Sequence, residues 1–265
     1  VRRRGFTLVE ALATIGLIGV LLALLAPALE SARESARLAA CGSNVRQLQL
    51  AAMLHARDHD DRYPPGAMDF HANLHRWHGT RERTGEAFDP ARSPLAGYLD
   101  GGAASSIVRC CPSFAPVAEE LTARGAGFEA GAGGYGYNNA FVGVVRAPDG
   151  RGGWLVLSDE TGSRASRFAS PSRTVGFTDA ALLTDRLIEY SFAEPRVWPE
   201  HPEHAPDPST HFRHAGAASV AWLDGRVSVE RMSETAEGWF SEGSSGEAGL
   251  GWVGTASDNR LYDYE

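Results

Sequence analysis

Arg2-Arg3-Arg4-Gly5-Phe6-Thr7-Leu8-Val9-Glu10 runs straight into residues 11–29, a stretch of 19 residues without a single charge. About 20 apolar residues at ~1.5 Å each cross the ~30 Å of hydrocarbon in a bilayer, so this stretch is long enough to span. The arginines ahead of it hold that end in the cytoplasm by the positive-inside rule and send the remaining ~200 residues across the membrane. A secretory signal has a shorter apolar core, roughly 7–15 residues, followed by a small-residue cleavage site. Here the run is longer, Glu10 stands near its start, and no good Ala-x-Ala site follows. A membrane-anchored chain with an exported C-terminal part is expected.

The same opening resembles the type IV prepilin and type II secretion pseudopilin superfamily, whose signature is a basic leader ending in Gly, then Phe-Thr-Leu-hydrophobic-Glu. In that superfamily a membrane-embedded peptidase cuts after the Gly and methylates the new N-terminus. The resemblance therefore implies cleavage between Gly5 and Phe6, an N-methylated Phe6, and three partners: the prepilin peptidase, other pilin-like subunits, and a secretion or pilus assembly platform. It also implies an inner-membrane protein with a cytoplasmic N-terminus and a domain that is periplasmic, or extracellular after assembly. Glu10 fits this physically. A carboxylate in hydrocarbon costs on the order of 3 kcal/mol unless it is paired, and cutting at Gly5 creates an amine at Phe6 that a neighbouring subunit's Glu10 can reach. A blander reading places Glu10 at headgroup depth, favouring the helix dipole.

Beyond the span the helical pattern continues to about His59, with Gly16, Gly19 and Pro27 as weak points and a bend expected near Pro27, since proline removes a backbone hydrogen bond. Leu38, Cys41, Val45, Leu48, Ala52, His55 and His59 recur at spacings of three and four, one face of a helix. Glu30, Arg33, Glu34, Arg37 and Arg46 fall mostly elsewhere, as a solvated side requires. Some 53 helical residues make a rod of about 80 Å, a membrane-anchored stalk. Tyr63-Pro64-Pro65-Gly66 ends it by turn chemistry. Strand-type composition follows at 107–110, 154–158, 174–178, 219–223 and 226–231. Asp224-Gly225, between the last two, suggests a two-residue type I′ hairpin that pairs Trp222 with Val227 and Val220 with Val229. The expected fold is α+β: a long N-terminal helix packed on a small antiparallel sheet, pilin-like. Its divisions are a leader (1–5), a transmembrane helix (6–29), a stalk (30–60) and an exported domain (61–265).

His214, nine residues, then Asp224-Gly225 resembles a prepilin-type domain defined by that spacing, found on pseudopilin-like proteins of planctomycete type. Other pieces similar to that family are Cys41-Gly42-Ser43-Asn44-Val45-Arg46-Gln47-Leu48, Tyr63-Pro64-Pro65-Gly66, Cys111-Pro112-Ser113, Tyr135-Gly136-Tyr137-Asn138 and Ser172-Arg173-Thr174-Val175. Leu54-His55-Ala56, where an aromatic is usual, and the doubled Cys110-Cys111 depart from it. His214 and Asp224 could be ligands, a catalytic pair or structural hydrogen-bonding groups; the structural reading is preferred, because Asp supplies the turn and a strand-flanking His can bond backbone.

The net charge of −8 and the lack of a basic stripe after residue 62 argue against a nucleic-acid partner. No Gly-x-Ser-x-Gly elbow supports a hydrolase, so no enzymatic activity and no cofactor are expected. Two histidine series, His71/His75/His78 and His201/His204/His211/His214, have spacings that permit a metal without specifying one. Pro199, Pro202, Pro206 and Pro208 put the second series on an extended loop where histidines are solvated, and no metal is assigned. Three cysteines in an exported domain permit one disulfide. Cys41 to Cys111 is the candidate bridge, with unbridged thiols as the other possibility. The function expected is that of a filament subunit of a type II secretion or type IV pilus-like machine. The alternative is a membrane-tethered binding module or metal-dependent enzyme using the prepilin export route.

Overall fold

The computed structural model describes residues 8–99, 110–124, 129–204, 206–239, 242–254 and 258–264. Gly5 and Phe6, and most of the strand expected at 107–110, lie outside the described residues. One helix dominates: α1, Leu8–Asp58, is 51 residues long with Pro27 inside it, about 77 Å at 1.5 Å per residue. It ends where Asp60 and Asp61 take positive φ, a conformation that short polar side chains tolerate. The His55 ring donates to the Arg62 carbonyl at 3.1 Å, fixing the direction in which the chain leaves the helix.

The two halves of α1 have different surroundings. Its most apolar stretch of 18 residues has not one buried residue. The later half buries Cys41, Asn44, Val45, Leu48, Gln49, Ala51, Ala52, His55 and Ala56. The expected face is thus the packing face from Cys41 onward, although His59 at its end is exposed. Glu34, read as a residue of the solvated side, is instead half-buried. It continues the three-and-four spacing one step toward the N-terminus (34, 38, 41, 45), so its position follows from the same helical geometry.

The helix packs on a four-stranded antiparallel sheet built from β1 (Tyr135–Tyr137), β4 (Val175–Asp179), β5 (Ala217–Trp222) and β6 (Val227–Arg231), in the order β6-β5-β4-β1. Between β1 and β4, β2 (Val145–Pro148) and β3 (Trp154–Ser158) form a separate antiparallel pair. Helix α1 meets β4, β5 and β6. Every residue of β5 is buried, as expected for a central strand covered on both faces. Gly176 in β4 lets the stalk come close: a Cβ there would collide with Gln49 Oε1. On the domain's inner side Tyr137 stacks on Phe177 with ring centroids 4.6 Å apart, and Trp77 meets the same ring edge-on at 5.2 Å. This is an α+β fold in a pilin-like arrangement.

The β5–β6 hairpin differs from the sequence expectation in register. Ala221, not Trp222, lies opposite Val227, and Val229 faces Ser219. The Gly225 N–H bonds the Trp222 carbonyl at 2.9 Å, the Trp222 N–H bonds the Arg226 carbonyl at 2.9 Å, and Gly225 has φ +86°. Leu223-Asp224-Gly225 is therefore a three-residue loop, a type I turn closed by a left-handed glycine. The extra residue slides the pairing by one, which reverses which side chains share a face, and Val229 is exposed. The type I′ geometry sits at the other end of β5. His214 and Ala217 exchange backbone hydrogen bonds of 3.0 and 3.1 Å around Ala215 and Gly216, both with positive φ.

Candidate functional site

The nine residues between His214 and Asp224 are spanned by one strand and a turn at either end. At ~3.3 Å per residue the two ends of that pattern stand tens of ångströms apart, so His214 and Asp224 do not act on one another. Each end instead fastens β5 to a different level of the stalk. At the lower end, His214 Nδ1 donates to Glu34 Oε1 at 2.8 Å. At the upper end the turn lies against the helix: a Cβ on Gly225 would sit in van der Waals contact with Met53 Sδ at 3.4 Å and Leu50 Cδ2 at 3.7 Å. Asp224 stays exposed; its Oδ1 accepts the Arg226 N–H at 2.9 Å, and its own N–H reaches the Pro171 carbonyl at 3.2 Å. That is turn chemistry.

The other family-like pieces converge on the same seam. Cys41 of the stalk is joined to Cys111 by a disulfide with Cα atoms 5.3 Å apart, and Cys110 is a free, partly exposed thiol. Geometry separates the two adjacent cysteines: Cys111 points into the core with its sulfur against the helix. Burial pushes the Cys110 thiol up to about 11, which makes it a poor nucleophile at neutral pH. Asn44 Nδ2 donates to the Tyr135 hydroxyl at 2.8 Å. The Tyr137 hydroxyl donates to the Pro64 carbonyl at 3.2 Å, which ties the loop after the helix to β1. The Leu223 N–H bonds the Thr174 carbonyl at 3.0 Å, and Arg226 Nη2 bonds the Ser172 carbonyl at 2.7 Å.

Around His214 the chain gathers groups that the sequence did not single out. Asp179, the last residue of β4, is wholly buried. Its Oδ2 accepts the Ser219 N–H at 2.7 Å and lies 3.6 Å from His214 Nε2. Burial pushes its carboxyl up, against the pull of the Arg213 and His214 charges. Ser113 Oγ stands 3.3 Å from Glu34 Oε1 and 3.5 Å from His214 Nδ1. Arg213 donates through Nη2 to the carbonyls of Gly134 and Ala180, at 2.7 and 2.8 Å, and lies over the Phe114 ring. Glu34 was assigned to the solvated side, although the three-and-four spacing extends to it; Asp179 at a strand end had no sequence signal.

The two histidine series do not assemble as series. His71, His201 and His204 are exposed, His75 pairs with Asp69 at 3.1 Å, and buried His78 bonds the Ser191 hydroxyl at 2.8 Å. His211 and His214, expected on a solvated loop, are instead buried, because the Thr210–His211 strand pairs with Leu250–Gly251. His71 and His201 do share the rim of a groove of about 760 Å³, which is also lined by Phe70, Arg146, Glu194 and Trp198. Glu194 is buried in its lining, accepts the Tyr190 hydroxyl at 2.7 Å, and has its carboxyl pushed up to about 7 by burial. Glu10 lies in the first turns of α1, exposed, with the Thr14 hydroxyl on its carbonyl at 2.7 Å.

No curated protein and no solved structure matches the chain. Residues 1–26 match the prokaryotic N-terminal methylation motif, which makes this a prepilin-type protein whose apolar N-terminal helix is consistent with a single-pass membrane anchor. Residues 30–181, from the stalk through the end of β4, match the family described as "Protein of unknown function (DUF1559)", so the chain belongs to that family, the planctomycete-type prepilin-like proteins.

Proposed function

We propose that the chain is a structural subunit rather than a catalyst: cut after Gly5, methylated on Phe6, held in the inner membrane, and packed through α1 into a filament of a type II secretion or type IV pilus-like machine. The observation that carries this reading is the contrast along one helix. The first half of α1 exposes large apolar side chains on every side, which in water would be strongly unfavourable. Both a bilayer and a bundle of like helices would cover them. The same helix is continuous with the domain's core, so burying its first half in a bundle fixes the position of the domain. Glu10 supplies the register. In a staggered bundle its carboxylate meets the Phe6 amine of a neighbour, and in low dielectric a lone charge costs far more than a matched pair.

Glu10→Val tests this. The leader is untouched and valine is comfortable in hydrocarbon, so intact-mass analysis should find Phe6 at the N-terminus carrying one methyl group. Polymer sheared from cells and seen by electron microscopy should be lost, while processed monomer accumulates in the membrane. Filaments at the normal level from the variant would overturn the charge-pairing mechanism. A mature N-terminus near Ala28 would mean ordinary signal cleavage instead. The groove lined by Phe70 and Trp198 favours a second reading, a membrane-tethered binding module. That reading gains if the unchanged protein is processed and never polymerises.

A further inference from the structure

We propose that Cys41, Cys111, Asp179 and His214 form a buried zinc site in the dithiol form of the chain, so that zinc and the Cys41–Cys111 disulfide are alternative occupants of one place. All four residues are buried, and one ligand atom from each lies within 4.8 Å of the others. His214 Nε2 stands 3.5 Å from Cys111 Sγ and 3.6 Å from Asp179 Oδ2. A tetrahedral zinc centre with bonds of roughly 2.0–2.3 Å has ligand-to-ligand edges of roughly 3.3–3.8 Å, so these two edges are in place already. The two sulfurs must part, and the widest pairs, which lie up to 4.8 Å apart, must draw in by about 1 Å.

Two further observations point to a cation. His214 Nδ1 donates to the Glu34 carboxylate at 2.8 Å, which is how metal-binding histidines are commonly oriented: the outer N–H goes to a carboxylate and the lone pair of the other nitrogen faces the ion. Asp179 Oδ1 is buried without a hydrogen-bond partner among the described residues, and the side chain faces His214 Nε2 rather than solvent. With two thiolates in place of the disulfide, a dication would satisfy this arrangement. Thiolate, imidazole and carboxylate together suit zinc rather than calcium or magnesium. Two thiolates and the Asp179 and Glu34 carboxylates carry four negative charges against zinc's two and that of Arg213, whose charge acts on Asp179, and Glu34 is the one of the four that solvent reaches.

The exchange balances. A dithiol reductant supplies two electrons and two protons to the Cys41–Cys111 bond and leaves as its own disulfide. Zinc then binds two thiolates and releases the two thiol protons. A newly made chain, not yet bridged, needs no reductant.

The test uses the full chain in detergent, reduced anaerobically, loaded with zinc and desalted, with cobalt as the spectroscopic stand-in. The reduced chain should keep one zinc, the oxidised chain none. The cobalt form should show the visible bands of a tetrahedral site and a thiolate-to-cobalt charge-transfer band. Cys110→Ser should leave this unchanged, Asp179→Asn and His214→Ala should abolish retention, and Glu34→Gln should weaken zinc binding roughly 10- to 100-fold. Asp179→Asn keeps the side chain's shape, and circular dichroism checks that each variant is folded. The proposal is overturned if the unchanged reduced chain holds no stoichiometric zinc or lacks the charge-transfer band. It is equally overturned if the oxidised chain binds as much, or if folded Asp179→Asn and His214→Ala chains bind as tightly with the same spectrum, which would place the metal on exposed histidines.

Discussion

Leu24 and Leu48 are the same residue type on the same helix, yet Leu24 is 70% exposed and Leu48 is 0% exposed. The difference lies in what surrounds each along the sequence. Around Leu24 the apolar residues go all the way round the helix, which no single domain face can cover. Around Leu48 they form one stripe, with Arg46 and Gln47 outside it, which a sheet can. One continuous helix therefore has two solvents: the first half is built for lipid or other helices, the second for the interior of its own domain. No single apolar side runs the length of α1, because the two halves follow different rules.

That comparison can be sharpened by substitution. The largest effect on the domain should come from the bridge at the lower end of the buried half. Its cysteines are 70 residues apart in sequence, and replacing both with serine should cost about 4 kcal/mol by the loop-entropy relation, read from denaturant unfolding under non-reducing conditions. Leu48→Ala should cost on the order of 2–5 kcal/mol through the cavity it leaves. Leu24→Ala should leave the same unfolding midpoint unchanged, because nothing in the domain touches it. Equal effects from both leucines would collapse the distinction between the halves.

Away from the helix, Glu194 gives the domain a pH dependence of its own. Its folded pKa, about 7, lies above the 4.5 of an unperturbed carboxyl. Between those values the folded state binds more protons than the unfolded one, so stability is fully present below 4.5 and falls as pH rises toward 7. The loss is roughly 3 kcal/mol at most, and Glu194→Gln should flatten the profile measured between pH 4 and 8. The smallest effect is expected from Gly225→Ala, about 1–2 kcal/mol for a non-glycine residue in the left-handed region, added to the new contact with Met53. No change there would mean that the upper end of β5 is not held by its turn.

The halves of α1 were legible because composition and period are local properties: residues 11–29 lack charges, and the spacing from Leu38 onward is that of one helix face. Four of the strands were legible for the same reason. The register of the last hairpin was not. Asp-Gly is compatible with a two-residue and a three-residue loop, and here the chain takes the longer one, closed by the left-handed Gly225. The candidate site was visible only in part. His214 and Cys111 stood out, but Asp179 reaches them through sheet pairing between β4 and β5, which no spacing along the chain encodes. The prolines marked a solvated loop, which holds for His201 and His204 but not for His211 and His214, because the pairing of Thr210–His211 with Leu250–Gly251 is again a contact that spacing along the chain does not encode.

The disulfide at Cys41 also has a mechanical meaning. Tension applied along α1 from its membrane end meets the non-covalent Glu34 contacts with His214 and Ser113 first, and then the one covalent tie, at Cys41. A covalent bond there passes the load directly to Cys111 and the domain wall. The apolar contacts from Val45 to Ala56, which would otherwise unzip one turn at a time, sit behind it unloaded. A bridged subunit under pull should therefore stretch or slip at its membrane half before its globular half begins to open.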